Sequence, residues 1–149
     1  MATQGQQELE YRSRRQPDSS YAVVLFHGFG ADSSDLESLA PELDPSERLS
    51  FYFPQAPYPI TVGGQRLGRG WFPRNDRQLQ EALYGNYFHK LTELDPPGLH
   101  RSAQEGTALI DSLEVPWERV FVGGFSQGAI VATEIALGAE RPVARLLLF

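Results

Sequence analysis

The sequence predicts an α/β fold in which helices cover both faces of a mainly parallel β-sheet. Two apolar, β-prone segments, residues 21–26 and 120–122, are each followed by a glycine-containing loop and then by a helical pattern. A third apolar run, residues 146–149, shows no polar alternation, which is typical of a strand that is buried on both faces. Successive strand, loop and helix units build parallel sheets, because a parallel strand pair needs a crossover connection.

Charge and composition describe one acidic globular domain over residues 1–149. The chain has 13 lysine and arginine residues against 19 aspartate and glutamate residues, a formal net charge of −6, which argues against nucleic acid or an anionic membrane surface as a partner. It contains no cysteine, so disulfides, thiolate metal sites and a thiol nucleophile are excluded. No secretory pattern opens the chain and no apolar run is long enough to span a membrane, so we expect a cytoplasmic protein without integral membrane association.

Further strands are predicted in the first half of the chain. Residues 8–14 alternate charged and other side chains like an exposed edge strand, and residues 49–53 form an apolar, aromatic run that is typical of a strand. The glycine-rich segment 60–69 suggests a small hairpin that turns at its glycine pair. It leads to Trp71, which either lines an apolar pocket or covers the core, and both interpretations stay open at this point.

Helices are predicted at two places. Ser34 and Glu37 have the spacing of a capping box, so a helix is expected to run to about Leu39 and to end before Pro41. Residues 99–113 place apolar side chains on roughly one helical face, which indicates the crossover helix that precedes the strand at 120–122.

The segment 119–137 carries the clearest chemical signal. Gly-Phe-Ser-Gln-Gly at 124–128 fits the G-x-S-x-G pattern between a strand and a helix, where the serine sits in a strained turn and the glycines remove side chains that would collide. Ser126 is therefore a candidate nucleophile, and the backbone N–H of Gln127 at the helix start is a candidate oxyanion donor. The alternative interpretation is a tight strand-to-helix connection without a catalytic role.

A second glycine-containing loop, His-Gly-Phe-Gly at 27–30, follows the first apolar strand. Hydrolases with a serine elbow take their other oxyanion donor from a loop after an early strand, and by position this donor would be the N–H of Phe29. The alternative interpretation is a plain glycine-rich turn. His27 itself is better explained as a hydrogen-bonded residue at the strand end than as a general base.

Four motifs occur in an order that resembles the phospholipase/carboxylesterase family, which includes the acyl-protein thioesterases. They are Leu-Phe-His-Gly-Phe-Gly-Ala-Asp at 25–32, Phe-Pro-Gln-Ala-Pro at 53–57, Trp-Phe at 71–72 and Gly-Phe-Ser-Gln-Gly at 124–128. The resemblance extends from about residue 23 to residue 149. Two positions depart from the family pattern, since Pro73 replaces a usual aspartate and Ala129 replaces a usual glycine.

The resemblance implies an α/β-hydrolase fold and the hydrolysis of small acyl esters or thioesters, including lysophospholipids, through an acyl-serine intermediate. It implies Ser126 as the nucleophile, the N–H groups of Phe29 and Gln127 as oxyanion donors, and Trp71 near the acyl site. The family chemistry implies neither a cofactor nor a metal.

The catalytic acid and base that this fold places after the nucleophile are not found in the sequence. The residues after Ser126 include two glutamates and no histidine, so the chain is expected to be an incomplete hydrolase domain that lacks its C-terminal strands. We expect the complete protein to be an enzyme and the 149-residue chain alone to be inactive. Because a triad is defined by geometry, a histidine elsewhere in the chain is a less favoured substitute for the base. The candidates are His27, His100 and His89, the last of which lies in a polar, partly helical segment at 75–95.

Two classes of function remain. The first is a serine esterase or thioesterase whose acid and base lie beyond Phe149, and the second is a non-catalytic hydrolase-like protein that binds a ligand or a partner. An aspartate and a histidine encoded after Phe149 would distinguish the enzyme from the binding protein. The apolar residues 146–149 also lead us to expect self-association of the isolated chain, because an unpaired apolar strand recruits other chains.

Overall fold

The computed structural model describes residues 8–74 and 95–149 of the protein. His89 and the predicted partly helical segment, up to residue 94, lie outside the described residues. The strands of the main sheet are β1 (Tyr11–Arg14), β2 (Ala22–Phe26), β3 (Ser50–Pro54), β6 (Val120–Gly124) and β7 (Arg145–Leu148). A separate hairpin is formed by β4 (Tyr58–Val62) and β5 (Gln65–Gly70). The described helices are α1 (Ala40–Leu43), α2 (Leu99–Ser112) and α3 (Gln127–Gly138), with short 3₁₀ turns at Glu37–Leu39 and Trp117–Arg119.

The main sheet has the strand order β1-β3-β2-β6-β7 and is parallel except for β1. β2 lies at the centre, where Ala22 pairs with Ser50 of β3 on one side and with Val120 of β6 on the other. β1 pairs antiparallel with β3, and its side chains are exposed. The predictions of a mainly parallel sheet, an exposed N-terminal edge strand and a hairpin in residues 60–69 are therefore confirmed, and the hairpin extends two residues further toward the N-terminus than predicted.

Helices pack on both faces of the sheet, as predicted. On one face, alternate side chains of β2 pack in the apolar cluster that includes residues of α2 and α3. On the other face, Val23 and Leu25 pack with Leu36 and Ala40 around the short helix α1. Every side chain of β2 is therefore buried, which explains why its sequence is apolar without interruption.

α2 is the predicted crossover helix, and Gly106 lets it lie close to α3 and β2. A Cβ atom at Gly106 would lie 2.7 Å from Cδ1 of Ile135 and 3.0 Å from Cε1 of Phe26. A side chain at this position would therefore push α2 away from the sheet, because protein interiors are close-packed. Within residues 8–74 and 95–149, no helix combines the length and the apolar character needed to cross a membrane.

The helix predicted after Ser34 starts later than expected. The Ser34 hydroxyl donates to the Asp32 carboxylate over 2.6 Å and does not cap a helix, because this nearby acceptor takes its proton. Glu37 forms an ion pair with Arg12 instead of completing a capping box. Pro41 lies in the first turn of α1 instead of ending a helix, since a first-turn residue needs no intrahelical N–H donor. The capping-box prediction is therefore wrong.

β7 pairs in parallel with β6, as predicted for the last apolar run, but it is only partly covered. Leu146 and Leu147 are half-buried, whereas Leu148 and Phe149 are 54% and 50% exposed. β7 also ends the strand order on its side, so within the described residues one of its edges has no partner strand. The strand assignment is confirmed, whereas the expected burial on both faces is not observed in the described part of the chain.

We expect the isolated 149-residue chain to self-associate through β7. Full burial of one leucine or phenylalanine side chain contributes about 1.5–3 kcal/mol, so covering several of them is comparable with a whole domain stability of about 5–15 kcal/mol. Sedimentation velocity should therefore show dimers or larger species whose proportion rises with protein concentration.

Two leucine substitutions make this prediction specific. Leu148→Lys places a charge on the open strand and should shift the chain toward monomer. Leu137→Lys changes a leucine of α3 that is 79% exposed and should leave the association unchanged. A monodisperse wild-type monomer with a cooperative thermal transition would contradict the prediction.

Candidate active site

Ser126 occupies the turn between β6 and α3 in a backbone conformation that few residues other than glycine adopt. Its φ is 51° and its ψ is −115°. Such a conformation costs roughly 1–3 kcal/mol, so the surrounding structure must hold the residue there. Ser126 is exposed, and its hydroxyl makes no capping hydrogen bond to α3, although a serine at this position commonly makes one. The hydroxyl is therefore presented to solvent and is not committed to the helix.

The two glycines of the motif allow α3 to cross the end of β2 at short range. A Cβ atom at Gly128 would lie 2.0 Å from the carbonyl oxygen of Phe26 and 2.5 Å from that of His27. A Cβ atom at Gly124 would lie 2.5 Å from the backbone of Gly128. These three distances are far below a normal contact, so a side chain fits at neither position unless the backbone moves. The structural role predicted for these glycines is confirmed.

The two glycine-containing loops leave the same edge of the sheet. β2 and β6 are neighbouring parallel strands with Phe26 opposite Gly124, so the loops that follow them start side by side. The N–H of Phe125 donates to the carbonyl oxygen of Phe26 over 3.0 Å. Ligands of open α/β sheets bind at this carboxyl end of the strands, and Ser126 lies at that edge.

The side chains of Phe29 and Gln127, whose backbone N–H groups are the candidate oxyanion donors, both lie next to Gly70. A Cβ atom at Gly70 would lie 3.0 Å from Cδ2 of Phe29 and 3.2 Å from Oε1 of Gln127. Within the described part of the chain, neither of the two backbone N–H groups donates a hydrogen bond. Unpaired N–H donors near an exposed serine hydroxyl are what the stabilisation of a tetrahedral oxyanion needs.

The β4–β5 hairpin holds the loop of residues 27–31, called the Phe29 loop below. Gly30 donates its N–H to the carbonyl oxygen of Arg69 over 2.8 Å, and Arg69 donates to that of Ala31 over 2.9 Å. The strands approach so closely that a Cβ atom at Gly68 would lie 2.1 Å from the Gly30 carbonyl oxygen. The hairpin, whose part in the site was not predicted, therefore fixes the Phe29 loop through backbone hydrogen bonds.

His27 is buried, and both of its ring nitrogens are occupied. Nε2 lies 3.2 Å from the backbone nitrogen of Ala56, whose N–H can only donate, so Nε2 carries no proton. Nδ1 therefore carries the proton and donates it to the carbonyl oxygen of Gly28 over 2.8 Å. Burial lowers the pKa of His27 from its usual 6.5, and a protonated Nε2 would face the Ala56 N–H. The interpretation of His27 as a hydrogen-bonded strand-end residue is confirmed.

Acidification is expected to destabilise the protein through His27. Because the pKa of His27 is lower in the folded chain than its usual 6.5, the neutral residue stabilises the fold fully above that value. This contribution is lost as the pH falls below 6.5 toward the folded pKa, since the unfolded chain then binds the proton first. The melting temperature should fall across this window, and His27→Gln should show a smaller fall.

The matched control is Ser50→Ala, which removes a buried hydroxyl that does not titrate in this range and should keep the wild-type pH dependence of melting. The comparison would refute the assignment to His27 if His27→Gln and the wild type lost the same number of degrees on acidification.

Neither described histidine is hydrogen-bonded to Ser126. His100 lies on α2 with Nδ1 2.9 Å from a carboxylate oxygen of Glu134 and Nε2 3.3 Å from one of Asp95. His89 lies outside the described residues. Among residues 8–74 and 95–149, no three His, Asp or Glu side chains converge as a metal site would require. The described histidines therefore provide no base for Ser126.

Trp71, which the resemblance implied near an acyl site, is part of the core. It has no exposed surface, and its ring packs edge-on against Phe26 with the ring centres 5.0 Å apart. Its indole Nε1 donates to the carbonyl oxygen of His27 over 2.7 Å. Of the two interpretations that the sequence left open, the structure favours the core residue, because the Trp71 side chain presents no surface that a substrate contacts.

The side chain of Gln127 makes contacts that sequence reasoning missed. It is buried, its Oε1 accepts the N–H of Trp71 over 2.7 Å, and its Nε2 donates to the carbonyl oxygen of Phe72 over 2.8 Å. The carbonyl oxygen of Trp71 accepts a further hydrogen bond from the Ser102 hydroxyl of α2. The sequence signal for these contacts is an amide side chain at the start of a largely apolar helix, where burial demands hydrogen-bond partners.

The chain is similar in sequence to esterases and thioesterases. Residues 9–149 match the family described as Phospholipase/Carboxylesterase. The chain is 29% identical over 145 residues to acyl-protein thioesterase 1 of Eremothecium gossypii, covering 95% of this chain and 58% of that protein. It is 32% identical over 123 residues to acyl-protein thioesterase 1 of Debaryomyces hansenii, covering 74% of this chain and 48% of that protein. The chain thus spans about half the length of these relatives.

The fold is similar to those of two esterases of known structure. The crystal structure of esterase PE8 has a TM-score of 0.71 and 24% identity, with 93% of this chain and 62% of that chain covered. The carboxylesterase from Mesorhizobium loti has a TM-score of 0.68 and 18% identity, with 94% of this chain and 59% of that chain covered. Likeness at these identities concerns the fold alone, and it confirms the α/β-hydrolase architecture that the resemblance implied.

Proposed function

Because the chain belongs to the phospholipase/carboxylesterase family, we propose that the complete protein is a serine hydrolase of carboxylic esters or thioesters. The observation that carries this proposal is the Ser126 turn, in which an exposed serine that does not cap the helix directly precedes Gln127, at the sheet edge from which the Phe29 loop also leaves. Among the described residues, the N–H groups of Phe29 and Gln127 have no hydrogen-bond acceptor. A turn that served only to connect β6 to α3 would not need a serine at a φ of 51°. If a serine were there, its hydroxyl would be free to cap the helix.

The proposed reaction proceeds through an acyl-serine. The Oγ of Ser126 attacks the carbonyl carbon while its proton passes to a general base, and the carbonyl oxygen becomes an oxyanion. The N–H groups of Phe29 and Gln127 donate to this oxyanion. Collapse of the tetrahedral intermediate breaks the bond to the alcohol or thiol, which leaves with the proton from the base. Water then attacks the acyl-serine in the same way, which releases the carboxylic acid and restores the hydroxyl.

We propose that the general base and its acidic partner belong to the complete protein outside these 149 residues. Both ring nitrogens of His27 and of His100 are within contact distance of partners other than Ser126. Without a base the serine remains a neutral, weakly nucleophilic alcohol, so the chain alone is expected to turn over substrate poorly.

The proposed substrates are small acyl esters and acyl thioesters, including lysophospholipids. The family description supports the esters, and the name acyl-protein thioesterase 1 of two relatives supports the thioesters. Both substrates present the same acyl carbon and develop the same oxyanion, so one pair of N–H donors serves both. The cytoplasmic location, the lack of a nucleic-acid partner and the single domain over residues 1–149 stay predictions.

A non-catalytic binding role is the second candidate. It is favoured by one observation, which is that the histidines of the described residues leave the Ser126 hydroxyl without a base. In that case the N–H groups of Phe29 and Gln127 would bind the carboxylate or carbonyl oxygen of a ligand that is not converted.

Labelling with a fluorophosphonate separates the two candidates. The probe forms a phosphonyl-serine with loss of fluoride, so the complete enzyme should react rapidly and stoichiometrically, with the label on Ser126 in peptide mass spectrometry. The chain of 149 residues should react slower by about 10⁴- to 10⁶-fold, because the histidines that the structure describes provide no base for Ser126. A folded complete protein that resists labelling would favour the binding role, and rapid labelling of the chain alone would show that one of its own residues acts as the base.

A further inference from the structure

We propose that the side chains of Gln127 and Trp71 form a hydrogen-bonded bridge that holds the two oxyanion donors, the N–H groups of Phe29 and Gln127, at a fixed separation. The inference rests on the proposed serine hydrolase function and names two positioning residues for it. The backbone N–H of Gln127 would contact the substrate oxygen, whereas its side chain acts through the segment 71–72.

The first half of the bridge ties the start of α3 to the segment 71–72. Oε1 of Gln127 accepts the N–H of Trp71 over 2.7 Å, and Nε2 donates to the carbonyl oxygen of Phe72 over 2.8 Å. A primary amide presents an acceptor and donors in one planar group, so it satisfies an N–H and a carbonyl of adjacent residues at once. A carboxylate would supply acceptors only, and a thioether is at most a weak acceptor.

The second half ties the segment 71–72 to the Phe29 loop. The indole N–H of Trp71 donates to the carbonyl oxygen of His27 over 2.7 Å, close in sequence to Phe29. The Ser102 hydroxyl of α2 donates to the carbonyl oxygen of Trp71, which anchors the segment to α2. Trp71 thereby connects the loop that carries one donor with the helix that carries the other.

The bridge is needed because the direct backbone hydrogen bonds between the two segments involve residues that precede Phe29 and Gln127 in the sequence. β2 and β6 pair as far as Phe26 and Gly124, and the N–H of Phe125 adds one more bond to Phe26. Beyond these, no backbone hydrogen bond within the described residues joins the Phe29 loop to residues 125–127. Catalytic donors must stay within roughly 0.5 Å of their productive positions, so a further link is required.

Burial makes the bridge rigid. Trp71 has no exposed surface and Gln127 is 6% exposed, so little solvent is in contact with these groups to replace their hydrogen bonds. A buried polar group that loses its partner costs about 1–3 kcal/mol, which opposes any movement that separates the loop from the helix.

Gln127→Met in the complete protein tests the bridge, because methionine has a similar size, keeps the backbone N–H and removes both side-chain hydrogen bonds. We expect kcat for p-nitrophenyl acetate to fall about 10- to 100-fold with KM changed by less than about threefold, since a displaced donor weakens binding of the transition state more than of the substrate. A trifluoromethyl ketone, which adds to the serine as a tetrahedral adduct, should lose affinity by a similar factor.

Trp71→Phe removes the indole donor and keeps an aromatic ring, so it should lower kcat in the same way. The double variant should lose less than the product of the two single losses, because both changes break one connection. Asp44→Ala is the matched control, since Asp44 is buried and its carboxylate accepts the N–H of Leu49 over 2.6 Å in the turn before β3. This control should lower the melting temperature and leave kcat unchanged.

An unchanged kcat in folded Gln127→Met would overturn the bridge. So would an equal loss of kcat in Asp44→Ala, because lost stability alone would then explain the effect. If Gln127→Met fails to fold, kcat of Trp71→Phe and of Gln127→Glu tests the bridge in the same assay. Gln127→Glu keeps the acceptor for the Trp71 N–H and loses only the donor to Phe72. Turnover retained by Ser126→Ala would refute the proposed function, whereas turnover lost in Ser126→Ala and kept in Gln127→Met would refute only the bridge.

Discussion

Replacing Ser126 with alanine is expected to lower kcat of the complete protein by about 10⁴- to 10⁶-fold. The change removes the attacking oxygen, so no acyl-serine forms and the covalent route is closed. The N–H groups of Phe29 and Gln127 would still polarise a bound carbonyl, so a slow reaction faster than that in water should remain. Steady-state kinetics with p-nitrophenyl acetate measure the effect, with KM expected to change little.

Two comparisons separate the effect of the lost Ser126 hydroxyl on kcat from a general effect of substitution or of lost stability. Ser13→Ala changes an exposed serine of β1 and should leave kcat at the wild-type value. Alanine at position 126 meets the same steric demand at a φ of 51° as serine does, so the melting temperature should shift by no more than a few degrees. If Ser126→Ala kept most of its turnover, the nucleophile would have to be another residue.

Gly128→Ala is expected to destabilise the fold by roughly 3–5 kcal/mol. The new Cβ atom would lie 2.0 Å from the carbonyl oxygen of Phe26 and 2.5 Å from that of His27, both in the backbone at the end of the central strand. Because the β2–β6 pairing holds Phe26 and the Trp71 indole binds the His27 carbonyl oxygen, the start of α3 must move instead and carry Ser126 and Gln127 with it. Urea unfolding measures the stability, and esterase activity should fall in parallel.

Gly138→Ala is the matched control for this prediction, since it makes the same change at the other end of α3. A Cβ atom at Gly138 meets nothing within 4 Å, and alanine favours a helix over glycine by up to about 1 kcal/mol. Its unfolding midpoint should therefore equal or exceed that of the wild type. Equal midpoints for Gly128→Ala and Gly138→Ala would show that the close approach of α3 to β2 does not restrict position 128.

The strand-to-helix elbow was predictable from the sequence because its elements are local. The glycines of residues 124–128 and the apolar patterns on either side lie within one short stretch, and a Cβ atom indeed has no room at Gly124 or Gly128. β2 was predictable for a similar reason. Its residues Ala22–Phe26 are all buried, so every position requires an apolar side chain.

One prediction was wrong and one question stayed open where the partners of a residue could not be identified from spacing. Ser34 and Glu37 have the separation of a capping box, but the Ser34 hydroxyl bonds to Asp32 instead. Trp71 was open between a pocket and the core, and its contact with His27, 44 residues earlier, favours the core. Spacing alone does not rank such competing contacts, because several partners satisfy the same polar group.

By itself the sequence determined the strand, turn and helix around Ser126, because glycine positions and apolar periodicity act over a few residues. Only the tertiary structure decided what holds that turn in place. It pairs Gly30 with Arg69, sets the neutral tautomer of His27, and joins the Gln127 side chain to residues 71 and 72, which are 56 and 55 positions away. The physical reason is that a hydrogen bond depends on the distance and direction between two groups in space, and a sequence pattern records neither when the partners lie far apart in the chain.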